Sequence, residues 1–64
     1  MDKYTATLYF NEETLTTRSS NDLKYLMISL LILLEDSTGN AHGSIIDNEK
    51  GTVVQRYRKT VVNN

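Results

Sequence analysis

The sequence predicts an α+β fold of order β-β-α-β-β, with an antiparallel sheet and one helix packed on one of its faces. Three observations carry this. Ten of the twelve residues from Leu23 to Leu34 are apolar, interrupted only by Lys24 and Ser29. Lys3 to Phe10 alternates along a run rich in Tyr, Thr and Phe. Asn48-Glu49-Lys50-Gly51 is the clearest turn signal and separates two segments rich in Ile and Val. Sixty-four residues hold one small core, so residues 1–64 are read as a single domain.

The first strand follows from strict alternation. Tyr4, Ala6, Leu8 and Phe10 share one face, and Thr5, Thr7 and Tyr9 share the other. Asn11-Glu12-Glu13 is a polar turn, and Thr14 to Arg18 reads as a short second strand with Leu15 and Thr17 facing inward. Together they make a hairpin.

The Leu23–Leu34 run is a helix on residue type and length. It is rich in Leu, free of Gly and Pro, and longer than a typical strand. Ser20 is the expected N-cap, and Asp22 places negative charge near the positive end of the helix dipole. Asp36-Ser37-Thr38-Gly39-Asn40 signals the stop, with Gly39 or Asn40 able to take positive φ. Glu35 and Asp36 oppose the C-terminal dipole.

On a helical projection the run divides into two surfaces. Leu23, Leu26, Met27, Leu30, Leu31, Leu33 and Leu34 fall on an arc of about 160° and form the expected core face. Tyr25, Ile28 and Ile32 lie opposite, spaced i, i+3, i+7, with Lys24, Ser29, Glu35 and Asp36 flanking them. One sheet covers the first surface and not the second. The Tyr25/Ile28/Ile32 ridge is therefore expected to meet a second copy or another protein. A domain this small gains a large fraction of its burial by association.

After the helix, Ala41 to Asp47 reads as the third strand. Gly51 supplies the αL position that a hairpin turn needs. Thr52 to Val62 is the expected fourth strand, with Val53, Tyr57 and Val61 on one face and Val54, Arg56 and Arg58 on the other; Asn63 and Asn64 fray. The helix is expected to cover Leu8, Phe10, Leu15, one of Ile45 or Ile46, and Val53. Thr5, Thr7, Tyr9, Thr14, Thr16, Arg56 and Arg58 are left on the uncovered face.

Composition excludes several classes. There is no Cys, hence no disulfide and no thiolate metal site, which fits a cytoplasmic location. A net charge of −1 argues against both a strongly basic nucleic-acid binder and an acidic DNA mimic. A span of the bilayer needs about 20 apolar residues, more than the run provides. The run is internal and lacks a basic flank, so it is not read as a signal peptide. No membrane partner is expected.

No motif names a reaction. His42 is the single histidine and has no neighbouring ligand set, so neither a metal site nor nucleophilic catalysis is read from it. Glu12-Glu13, Glu35-Asp36 and Asp47/Glu49 sit at turns or at the helix end, where carboxylates are solvated. The protein is read as non-enzymatic, with no cofactor. Arg56-Tyr57-Arg58-Lys59 is the one basic cluster. It serves as charge protection of an edge strand, as a partner contact, or as a phosphate-tracking strand with an aromatic for stacking. Tyr4 belongs to the core, whereas Tyr9 and Tyr25 are interface candidates.

The segments YTATLYF, SSNDLKYLMISLLILLED and GSIIDNEKGTVVQRYRK together resemble, in size, element order and style, small host-inhibitor proteins encoded by bacteriophages and other mobile elements, anti-CRISPR proteins among them. The resemblance implies an inhibitor that binds and blocks a host protein, a defence or DNA-repair factor, by direct contact. The function expected is thus a homodimeric protein-binding protein, contacting its partner through Tyr9, Arg56, Tyr57, Arg58 and Lys59. The alternative is a small nucleic-acid-binding regulator that uses the basic fourth strand.

Overall fold

Strand β1 (Tyr4–Phe10), strand β2 (Glu13–Ser20), helix α1 (Leu23–Asp36), strand β3 (Ala41–Asp47) and strand β4 (Thr52–Arg58) follow one another along the chain. The computed structural model describes residues 2–10, 13–37 and 40–59. All strand pairs are antiparallel, and the sheet order is β2-β1-β3-β4. Helix α1 packs on one face, so the architecture is the expected two-layer α+β fold. The Asn11–Glu12 part of the first turn, Thr38 and Gly39 of the helix stop, and residues 60–64, which include Val61, lie outside the described residues.

Residues opposite each other on antiparallel strands share a sheet face. Toward the helix, Ala6 and Leu8 of β1 join Ala41, Gly43, Ile45 and Asp47 of β3, all buried. Leu26, Leu30 and Leu34, one turn apart, close the core from above. Tyr4, Leu23, Met27, Leu33 and Tyr57 pack around this centre.

Two bulges redirect side chains that strict alternation places in the core. The register of β1 and β2 shifts between Leu8 and Tyr9: Leu8 pairs with Thr16, and Tyr9 pairs with Thr14. Leu15 is the extra residue and is 52% exposed rather than buried. The shift also sends Thr16 to the helix side and Thr17, opposite Thr7, to the open side. The register of β3 and β4 shifts between Ile45, which pairs with Gln55, and Ile46, which pairs with Val53. Val54 is the extra residue there. Val53 therefore joins Ile46 on the open face, and both valines are exposed.

The helix also departs from its projection. Leu31 is exposed because the buried line runs through Leu26, Leu30 and Leu34, which leaves Leu31 about 100° from the centre of contact. Asp22, rather than Ser20, is the N-cap: its carboxylate accepts from Tyr25 N–H at 3.1 Å, while Ser20 Oγ accepts from Asp22 N–H at 3.0 Å. At the other end, Ser37 Oγ donates to Leu33 O at 2.7 Å.

The turn between β3 and β4 is held by Asp47. Its buried carboxylate accepts from the N–H groups of Glu49 at 3.0 Å and Lys50 at 3.1 Å. Gly51 takes φ +68°, and its N–H donates to Asp47 O at 2.7 Å. Asn48 ties this turn to the chain start, donating from its side chain to Asp2 O and accepting from Thr5 Oγ1, each at 3.0 Å.

Candidate interaction surfaces

Two surfaces point in opposite directions. The first is the outer side of α1. Tyr25, Ile28 and Ile32 are 49%, 50% and 55% exposed, and Leu31, at 46%, widens the expected ridge. Leu31 lies at the edge of the projected core arc, which was the available sign of its exposure. Lys24 stands near one end of this surface, and Glu35 and Asp36 stand at the other.

The second surface is the face of the sheet away from α1. Its register sets side chains in rows across the strands. Thr14, Tyr9, His42 and Arg58 form one row; Thr17, Thr7, Ser44 and Arg56 form the next. Ser19, Thr5, Ile46 and Val53 form the third, where the Thr5 and Ser19 hydroxyls hydrogen-bond at 3.1 Å. The face thus grades from aromatic and basic, through hydroxyl, to mixed apolar.

The first row is the most organised. Tyr9 and His42 stack, with ring centroids 5.1 Å apart and ring planes 16° from parallel. Arg58 follows His42 on the next strand, and Arg56 lies two residues along β4 on the same face. His42 and Arg58 are shared by two adjoining depressions of about 320 and 390 Å³; Arg56 lines the first, and Asn40 and Lys59 line the second. Among the described residues no Asp or Glu shares these three rows.

The structure separates the five residues expected at a partner contact. Tyr9, Arg56 and Arg58 share the open face. Tyr57 pairs with Gly43 on the helix side and packs against the core. Lys59 reaches back to the helix end, where its ammonium donates to Glu35 O at 3.2 Å and to Ser37 O. There it supplies the positive charge that the last turn of α1 lacks. His42, from which the sequence reads neither a metal site nor catalysis, joins the site because the sheet order sets β3 beside both Tyr9 and Arg58. Nothing local in the sequence gave its neighbours.

The arrangement is suited to contact. The cross-strand neighbours of His42 are an aromatic and a cation, not a carboxylate that would orient it for proton transfer. Among the described residues no three His, Cys, Asp or Glu side chains gather so as to hold a metal ion. Among the same residues no helix is long and apolar enough to cross a membrane. Comparison with protein-family models, with curated proteins and with solved structures finds no match for this chain.

Proposed function

We propose that the protein is a non-catalytic interaction protein, working as a homodimer paired through the outer face of α1, that binds and blocks a host protein in the cytoplasm of the host cell. The exposed Tyr25/Ile28/Leu31/Ile32 surface carries the self-pairing part of this reading. The likeness in style to small phage-encoded inhibitors supports the host-protein target.

A second copy fits the ridge because its charges are self-complementary. Antiparallel pairing centred between Ile28 and Ile32 brings Lys24 of one copy beside Glu35 of the other, and Tyr25 beside Asp36. It also opposes the two helix dipoles. Parallel pairing would set like charges side by side. Pairing in this way leaves both open sheet faces outward for a partner.

Light scattering at micromolar concentration is expected to give twice the 7.3 kDa chain mass. Ile28→Lys is expected to return the mass to that of one chain while the far-ultraviolet spectrum stays that of the folded protein. A monomeric wild-type chain, with Ile28→Lys changing neither mass nor stability, would contradict the pairing.

A second reading, a small nucleic-acid-binding regulator, is favoured by one specific observation: the stacked Tyr9–His42 pair stands beside Arg58 and Arg56 on the open face.

A further inference from the structure

We infer that the open sheet face binds single-stranded nucleic acid, with Tyr9 and His42 stacking a base and Arg56 and Arg58 holding the backbone phosphates. This rests on the second reading above and gives it a ligand class and a residue set drawn from three strands rather than one.

The aromatic pair supplies the base contact. Tyr9 and His42 occupy each other on one ring face only, because the stack is a pair. The outer side of Tyr9 faces Thr14 and that of His42 faces Arg58, so a base that enters beside either ring extends the stack and meets a hydroxyl or a guanidinium. Both residues come from the two central strands, so the platform is backed by the core beneath it. A four-stranded sheet with aromatic side chains on one face is a recurrent way of holding unpaired bases.

The cations stand where a backbone leaving that base would run. Arg58 continues the Tyr9–His42 row. Arg56 follows on the same face, about 6.7 Å further along the strand. Arginine, unlike lysine, offers a planar fork that takes phosphate oxygens in pairs and also stacks on bases. Thr7, Thr17 and Ser44 add hydroxyl partners in the row that contains Arg56. The chain as a whole carries charge −1, yet the described residues of this face carry only positive charge. Among the described residues the acids lie at the chain start, on the helix or at its cap, in the β3–β4 turn, and on the helix side of the sheet. That segregation lets a nearly neutral protein present a locally attractive surface to a polyanion.

Shape selects a single strand over a duplex. Four strands at about 4.8 Å spacing make a platform roughly 14 Å across, backed by a helix. The major groove is about 12 Å wide and admits a helix or a two-stranded ribbon. This face therefore does not enter it. A flexible single strand instead lies across the rows with its bases turned toward the rings.

The test is fluorescence anisotropy of a labelled oligothymidine of roughly 15 nucleotides, a length within known single-strand site sizes, against the same sequence as a duplex. The expected result at low salt is saturable binding of the single strand, at least tenfold tighter than the duplex. Tyr9→Ala is expected to weaken it about 5- to 150-fold, the range for one stacked base. Arg56→Gln combined with Arg58→Gln is expected to reduce the salt slope by about 1.4, from two phosphates at about 0.7 each. Both arginines are exposed, so this variant keeps its fold and serves even where Tyr9→Ala loosens the sheet. Lys50→Gln, on the β3–β4 turn, is expected to leave affinity within twofold.

Absence of binding at low salt overturns the inference, and so does equal binding of duplex, or full competition by inorganic polyphosphate together with indifference to Tyr9→Ala. Retention of an acidic protein alone by the arginine face overturns it in favour of a protein ligand. Light scattering on the same samples separates this outcome from the self-pairing: a dimer that ignores the oligonucleotide sinks only this inference, and a monomer that binds it sinks only the pairing.

Discussion

Leu30→Ala is expected to destabilise the protein by about 3–5 kcal/mol, the upper part of the range for buried leucine truncations. Leu30 is 1% exposed and stands over β3 at Gly43, which has no side chain to lean into the space left behind. The flanking Leu26 and Leu34 are held by the same helix and cannot close the gap by sliding. A chain of this length has a total stability of roughly 3–10 kcal/mol at about 0.05–0.15 kcal/mol per residue. The substitution therefore removes a third or more of it. Urea unfolding followed by circular dichroism measures the effect as a lower midpoint with little change in slope. A loss under about 1 kcal/mol would mean that α1 does not rest on Gly43 as described.

Gly43→Ala is expected to destabilise as well, by about 1–2 kcal/mol, although alanine normally improves a strand. A Cβ at Gly43 would lie 2.7, 2.9 and 3.0 Å from Leu30 Cδ1, Cδ2 and Cγ. Relief of the glycine backbone entropy is worth about 0.5–1 kcal/mol. Forcing a methyl into a filled core costs about 1–3 kcal/mol, and Leu30, 1% exposed, can yield only by displacing the core side chains around it, so overpacking wins. The two substitutions are expected to compensate in one chain. In the double variant the new methyl enters the space that Leu30 vacates, so its loss falls short of the sum by about 0.5–3 kcal/mol. Strict additivity would contradict a direct contact between these two positions.

Most of the architecture was legible in the sequence, and the reason is length of pattern. β3 spans Ala41–Asp47 as read, β1 begins one residue later than read, and the helix extends the Leu23–Leu34 run by two residues. β1 and the helix are each a long unbroken period of one kind, which local physics dictates, and β3 was framed by Ile45-Ile46 and the turn that follows. The Asn48–Gly51 turn was legible because φ +68° at Gly51 is a conformation that other residues resist. The bulges were not legible. A bulge adds one residue to an alternating run, and neither Leu15 nor Val54 is flanked by the glycine that sometimes marks one. Alternation carried unbroken through them predicted a core place for Leu15 and Val53, and the observed registers deny it to both.

The surfaces show the same division. Tyr25, Ile28 and Ile32 were placed by helical spacing alone, a property of one element. The open sheet face needed the order β2-β1-β3-β4, which no local pattern encodes. That order brings Tyr9 and His42 together from distant parts of the chain and sets Arg58 beside them. Alternation did separate Tyr57 from the two arginines. The role of Lys59 at the helix end was hidden, because its partners are carbonyls of a distant element.

The central claim is that the outer face of α1 pairs with its own copy, antiparallel and centred between Ile28 and Ile32. Cysteine cross-linking with a short bis-maleimide tests it most directly, since the chain has no cysteine of its own. The variant carrying both Lys24→Cys and Glu35→Cys is expected to give a covalent dimer. The pairing brings position 24 of one copy beside position 35 of the other, while within one chain the two sites lie about 16 Å apart along the helix. Either substitution alone is expected to leave single chains, because the two copies of position 24 stand about 18 Å apart along the interface. Cross-linking of the single variants, or none in the double variant, would contradict the account.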